Sequence, residues 1–242
     1  MSDKKSRLAG GMSGLLLAGA IGLVVGGGAM VLAQGGFGDA RTERVVHDYI
    51  LENPEIIPEA MERLQQREAA AAIGPRRAQL ETPYGSAWAG AADADVVLVE
   101  FFDYACGYCR ASNSVVERLL REDPRLKVVW RELPVLGPAS QEAAFVSLAA
   151  AEQGRFRQFH DALFALGPPS AQNVAQVQRA VGVQLARSSD GHRQELQRNM
   201  ELANLLRATG TPTFVVGDQV MHGAVGYERL KQAIEEARAS RS

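Results

Sequence analysis

The chain has 242 residues, 46% hydrophobic and 22% charged, a balance that suits a globular protein with a buried core. A net charge of −2 excludes the basic excess that nucleic acid or an acidic membrane surface would require. The cysteine count of two, Cys106 and Cys109, excludes a framework of structural disulfides.

In chain order, Lys4, Lys5 and Arg7 precede 26 uncharged residues from Leu8 to Ala33. A basic start followed by an apolar run reads as a secretory signal, and Val31-Leu32-Ala33 places its cut after Ala33. The run is also long enough to span a bilayer as a retained anchor, although its glycines weaken it as a helix. Residues 1–33 imply export in either case, with the basic end on the cytoplasmic side.

Gln34 to Ala40 is glycine-rich and reads as a linker. Val45, Val46, Tyr49 and Ile50 then form one face of a short helix. Asn53-Pro54-Glu55 predicts a restart, with Asn as N-cap and Pro at the first helical position. Ile56, Ile57, Ala60, Met61 and Leu64 continue the apolar stripe. Pro58 conflicts with a helix begun at Pro54, so the helix either starts at Pro58 or kinks there. Gly74-Pro75 ends this region of residues 34–75, which is too small to bury its own stripe. It therefore folds back on the rest of the chain, pairs with other copies, or stays disordered.

The main domain is expected over residues 80–240. Val96–Phe102 suits a buried strand, and Ala111–Glu122 has helical spacing through Val115, Val116, Leu119 and Leu120. Leu126–Leu133 is strand-like. From Ser140 to Leu206 the pattern is helical, through Phe145 and Leu148, Phe156 to Phe164, Val174 to Val181, and Leu196 to Leu206. Strands return at Thr213–Val216 and Val220–His222 after a turn at Gly217-Asp218, and Tyr227–Arg238 closes as a helix. A βαβ unit, a helical block and a ββα unit in that order fit an α/β fold: a thioredoxin-type sheet with a helical insertion at about 139–207, preceded by an N-terminal helical segment.

The cysteine pair follows the strand and opens the helix. It closes almost no loop, so it adds little as a staple, and its value is chemical. An exported dithiol sits in an oxidising compartment and will react. Unpaired N–H groups and the helix dipole favour a thiolate at Cys106, which assigns it as the nucleophile. Cys109, one turn on and deeper, is the resolving thiol that attacks a mixed disulfide. Gly107 leaves the backbone free, and Tyr108 offers a stacking or hydrogen-bonding surface to a substrate. Zinc would need about four ligands, haem attachment needs His after Cys109 where Arg110 stands, and no metal site is expected. Two soft thiolates could hold Cu(I), which leaves a copper-binding or holdase module as a reading from another class. Arg110 adds positive potential near the thiols or is simply solvated. Glu100 is either a strand-end residue facing water or a buried acid that exchanges a proton with Cys109. Thr211-Pro212-Thr213 precedes a strand, an ordinary place for proline. His47, His160, His192 and His222 are taken as surface or packing residues.

Val-Glu-Phe-Phe-Asp-Tyr-Ala-Cys-Gly-Tyr-Cys at 99–109, with Gly-Thr-Pro-Thr-Phe at 210–214 and the helices between, resembles the DsbA-like thiol:disulfide oxidoreductases. The N-terminal region is similar to the helical oligomerisation region of ScsC-like members. The resemblance implies that Pro212 is cis and lies against the dithiol, that Thr211 offers its backbone to an extended substrate, and that Glu100 is the proton-transfer acid. It implies no cofactor beyond the redox-active disulfide Cys106–Cys109, client proteins with cysteines, and a homo-oligomer, with a trimer as one candidate. The compartment is the bacterial periplasm, with the protein soluble after cleavage or tethered by residues 8–33. Gly107-Tyr108 and Thr211 are similar to the isomerase DsbC rather than to oxidising DsbA, which has Pro-His and Val. An isomerase or reductase needs a membrane reductant of DsbD type; a disulfide-donating oxidase, the alternative, needs an oxidant of DsbB type.

Overall fold

The computed structural model describes residues 37–185 and 190–240. The signal or anchor expected over residues 1–33 lies outside the described residues. Among the described residues, no helix is long and apolar enough to cross a membrane.

The chain divides after Glu62 into two compact units. In the first, helix α1 spans Phe37–Glu52 and so begins inside the stretch read as a linker. Val45, Val46, Tyr49 and Leu51 are each more than half exposed on this helix. Asn53 does not cap the next helix. Its side-chain amide and its backbone N–H both donate to the Tyr49 carbonyl at 2.9 Å, closing α1. Helix α2, Ile56–Ile73, starts after it. Pro58 neither starts nor kinks α2. It stands in the first turn, where a backbone N–H lacks an intrahelical acceptor and none is missed.

The second unit starts at Arg63, upstream of the expected boundary near residue 80. The reason is packing. Ala69, Ala72 and Ile73 of α2 join a buried apolar cluster with Leu80. Gly74-Pro75 does not end the helical stretch; a single 3₁₀ turn, Gly74–Arg76, leads into the short helix α3, Arg77–Glu81.

A mixed five-stranded sheet follows in the order β1-β3-β2-β4-β5. Strand β1, Trp88–Gly90, is only three residues long and was not expected from the sequence; so short a run shows no alternation. Strand β2, Val96–Phe102, is buried along its whole length. Helix α4, Gly107–Glu122, carries it over to β3, Leu126–Glu132, which runs parallel to β2. The helical block between β3 and β4 comprises α5 (Pro138–Glu152), α6 (Phe156–Leu166), α7 (Ala171–Val181) and α8 (Asp190–Leu205). Strand β4, Thr213–Val216, returns antiparallel to β2, and β5, Gln219–His222, pairs with β4. Gly217 supplies the left-handed turn between them at φ +57°. Helix α9, Tyr227–Ala239, closes the fold.

Alternation along the strands sorts the core into two layers. Val96, Leu98 and Phe102 of β2 face α4, α5, α6 and α9, with Val116, Ala143, Phe156, Leu230 and Ile234. Val97, Val99 and Phe101 face the other way, against Ile73, Leu80, Leu202 and Leu206. Arg131 is a charge buried on this second face, and all five of its N–H groups are used. Nε donates to the Leu80 carbonyl at 3.0 Å. Nη1 donates to Asn199 Oδ1 at 2.9 Å and Glu195 Oε1 at 3.2 Å. Nη2 donates to the Thr82 carbonyl at 2.8 Å and to that of Gln79. One guanidinium thus ties β3 to α8 and to the segment that enters the sheet. Arg131→Met should lower the unfolding free energy by about 3–5 kcal/mol, because it takes a buried donor from Asn199 and three carbonyls and leaves Glu195 to Arg198 alone. A urea titration of both proteins at neutral pH measures this.

Candidate active site

Strand pairing brings the two sequence motifs together. Cys106 follows the C-terminal end of β2, and Phe101 of β2 pairs with Thr213 at the start of β4. The residues before β4 therefore lie beside the cysteine turn. The Thr211–Pro212 peptide bond is cis, and the Cys106 thiol donates to the Thr211 carbonyl at 3.1 Å. The cis bond at Pro212, expected from resemblance alone, is present, and the Cys106–Thr211 contact sets that loop against the cysteine turn.

Cys106 is the N-cap of α4. Its backbone is extended, and its Sγ accepts the Cys109 N–H at 3.3 Å. A sulfur anion formed there would accept the same N–H. Cys106 is 5% exposed and Cys109 fully buried, the order expected of an entering and a resolving sulfur. Gly107 and Tyr108 are exposed, Tyr108 at 71%. Arg110 is half-buried rather than solvated, and its Nε and Nη2 have no hydrogen-bond partner among the described residues.

Glu100 is not at a wet strand end. Its position in the alternation of β2 turns it to the face covered by α4, and it is fully buried. In the sheet it pairs with Trp130 on β3 and Phe214 on β4. Trp130 Nε1 donates to Glu100 Oε2 at 3.0 Å, while Oε1 has no partner among the described residues. Burial pushes the Glu100 carboxyl up to about 8, against the opposing pull of the Trp130 N–H. Burial also pushes the Cys109 thiol up, and the charge of Glu100 adds to it. A buried thiol beside an acid that titrates near neutrality can pass its proton to that acid.

Other groups at the site escaped the sequence reading. Asp103 is buried in the turn between β2 and α4. Its Oδ1 accepts from Ala105 N at 2.8 Å, and its Oδ2 accepts from Val135 N and Leu136 N, both at 2.9 Å. Tyr104 and Ser147 share a buried hydrogen bond of 2.8 Å. Glu132 is a further buried acid, and burial holds its carboxyl well above the usual range. His160 packs among Phe102, Tyr104, Trp130, Phe156 and Phe164, a packing role as expected. Asp103 and Tyr104 stood inside the quoted motif and could have been flagged. Trp130 needed the strand register, which no local pattern supplies.

Fold and site together define a thioredoxin-fold protein with a dithiol at a helix N-terminus and a cis-proline loop against it. The DSBA-like thioredoxin domain model matches residues 97–235, and the chain belongs to that family. Residues 40–71 match the model described as the copper resistance protein ScsC N-terminal domain. The catalytic domain of Proteus mirabilis ScsC superposes with a TM-score of 0.65 at 28% identity, over 70% of this chain and 98% of that one. The disulfide bond formation protein D of Bacillus subtilis is 26% identical over 166 residues, 60% of this chain and 74% of that protein. A Na(+)/H(+) antiporter, NhaA 3 of Salinispora tropica, is 33% identical over 166 residues, 62% of this chain and 24% of the antiporter. The chain thus spans about a quarter of that relative's length.

The Glu100 carboxyl titrates higher in the folded than in the unfolded chain, so the folded state keeps a proton that the unfolded state has released. Stability therefore falls as pH rises from about 4.5 through about 8. Glu100→Gln should be more stable than the parent by up to about 4 kcal/mol at pH 8, with the difference closing near pH 4. Urea midpoints across that range check it.

Proposed function

We propose that this chain is an exported thiol:disulfide oxidoreductase that reduces or reshuffles disulfides in client proteins through Cys106 and Cys109. The observation that carries this reading is the meeting of the Cys106 thiol with the Thr211 carbonyl at 3.1 Å beside cis-Pro212, with the buried Glu100 acid acting on Cys109.

Cys106, as thiolate, attacks one sulfur of a client disulfide and forms a bond to it; the other client sulfur leaves as thiolate. Cys109 gives its proton to the Glu100 carboxylate and attacks Cys106 Sγ. The second client sulfur leaves, and Cys106–Cys109 becomes the disulfide, so two electrons have passed to the client. In isomerisation a client thiolate attacks the mixed disulfide instead, and the dithiol is regenerated. Thr211 holds the extended client through its backbone, next to Pro212, while Gly107 and Tyr108 present an open surface. The periplasm is the working compartment, and a membrane reductant of DsbD type restores the dithiol.

Three features favour this direction. Gly107-Tyr108 separates the cysteines, Thr211 precedes the proline, and the apolar residues Val45, Val46, Tyr49, Leu51, Ile57 and Met61 are exposed on α1 and α2. That exposed stripe suits self-association, which would set several dithiols around one misfolded client. The likeness to the Bacillus subtilis disulfide bond formation protein D favours a second reading, in which the steps run backwards and a DsbB-type oxidant recharges the disulfide. The copper resistance wording of the N-terminal family model favours a Cu(I)-binding module as a reading of another class.

Refolding of scrambled ribonuclease should outpace oxidation of reduced ribonuclease; the reverse order would establish the donating direction. Cys106→Ser should abolish both activities, and Cys109→Ser should accumulate mixed disulfides visible on non-reducing gels. Tight Cu(I) binding without thiol exchange would replace the enzyme reading altogether. For assembly, residues 34–242 should run as an oligomer by light scattering and residues 63–242 as a monomer. The shorter chain keeps Ile73 in its cluster, so equal monomeric masses would count against self-association.

A further inference from the structure

The Glu100–Trp130 hydrogen bond has a charge on its far side. Arg157, on α6, places its guanidinium carbon 4.7 Å from the centroid of the Trp130 ring. The same indole donates its N–H to Glu100 at 3.0 Å. Trp130 is 3% exposed, so the indole meets the cation at its face and the acid at its N–H edge with little water around it. A cation over an aromatic face draws electron density toward itself. The indole N–H is left more positive and becomes a stronger donor to an anion than to a neutral acid.

We propose that Arg157 is a positioning residue for Glu100, acting through the Trp130 ring to favour the ionised carboxyl. The catalytic consequence rests on the reading of Glu100 as the proton acceptor from Cys109; the electrostatic coupling itself does not.

The surroundings of both groups fit such a relay. Arg157 is held over the ring by Glu117 of α4 and by Asp161 of its own helix at 3.2 Å. Asp161 also binds His160 Nδ1 at 2.9 Å. Glu100 faces Cys109 from α4 and Trp130 from β3. Helix α6 belongs to the helical block and α4 carries the dithiol, so the Arg157–Glu117 pair fixes the cation by reference to the helix whose chemistry it serves. A purely structural role is the rival account, since an Arg side chain also covers an indole face by its apolar stem. Charge and cover are separable by substitution.

The test is a titration of the Glu100 side-chain carboxyl by ¹³C NMR in the oxidised full chain, where the cysteines do not titrate. Arg157→Met keeps the cover and removes the charge, but it takes the cation away from Glu117 and leaves Asp161 with His160 alone. The combined variant Arg157→Met, Glu117→Gln, Asp161→Asn is therefore read against Glu117→Gln, Asp161→Asn, so that only the cation differs between the two. Its Glu100 inflection should rise by about half a pH unit, the scale of a modest cation–π contribution. Arg157→Lys should give a smaller shift. An unmoved inflection in the combined variant overturns the proposal. Should that variant not fold, Arg157→Met is compared with Arg157→Lys, which keeps the charge: the inflection must be higher in the former, and equal inflections overturn the coupling. The pH profile of thiol exchange is read alongside, in the parent and in Glu100→Gln. Identical profiles for those two would refute Glu100 as proton acceptor, whatever the carboxyl titration shows for Arg157.

Discussion

Strand β2 is paired on both sides, and its two registers hold the site together. On one side, parallel pairing with β3 sets Trp130 opposite Glu100. On the other, antiparallel pairing with β4 sets Thr213 opposite Phe101 and so brings Pro212 to the cysteine turn. A slip of one residue in either ladder would turn these side chains to the opposite face. Glu100 would leave the dithiol for the layer that holds Ile73 and Leu80, and the Thr211 carbonyl would lose its place at Cys106. The sheet therefore acts as a ruler, and its accuracy comes from the two apolar layers that clamp it.

The same alternation explains how two buried charges on neighbouring strands do different work. Glu100 faces α4, where one N–H and a nearby thiol are its polar company, and burial keeps it protonated through most of the neutral range. Arg131 faces the other layer, where Glu195, Asn199 and three carbonyls meet every donor it has. Glu100 is left with few partners and its proton is free to come and go, while Arg131 is held in place by a full set. The chain keeps the two kinds apart by the thickness of a strand.

Much of this was legible in the residues. Hydrophobic periodicity located β2, β3, β4, β5, the helical block and α9, and the cysteines marked the reactive end. Glu100 could be named but not placed, because a single acid in an apolar run is compatible with either face until its neighbours are known. Trp130 could not be linked to it at all, since 30 positions separate them and only strand pairing joins them. At the N-terminal end, Asn53 and Pro58 misled for local reasons. Asn serves the end of a helix as readily as its start, and Pro in a first turn costs nothing. The buried role of Ile73 was invisible, because a helix that leaves one unit and enters another shows no break in its sequence.

Asp103 couples two loops with one side chain: an oxygen on the cysteine turn, the other on the amides of Val135 and Leu136. Both amides belong to the short connection between β3 and α5, whose first residues are thereby measured against the reactive sulfur. That connection is divided into a rigid part and a free part. Up to Leu136, adding or deleting a residue would drag the cysteine turn with it. Beyond it, at Gly137, the chain is no longer held by that carboxylate. Lineages carrying this fold can therefore be expected to vary the loop on one side of Leu136 and to keep its length on the other, a boundary drawn by a single carboxylate.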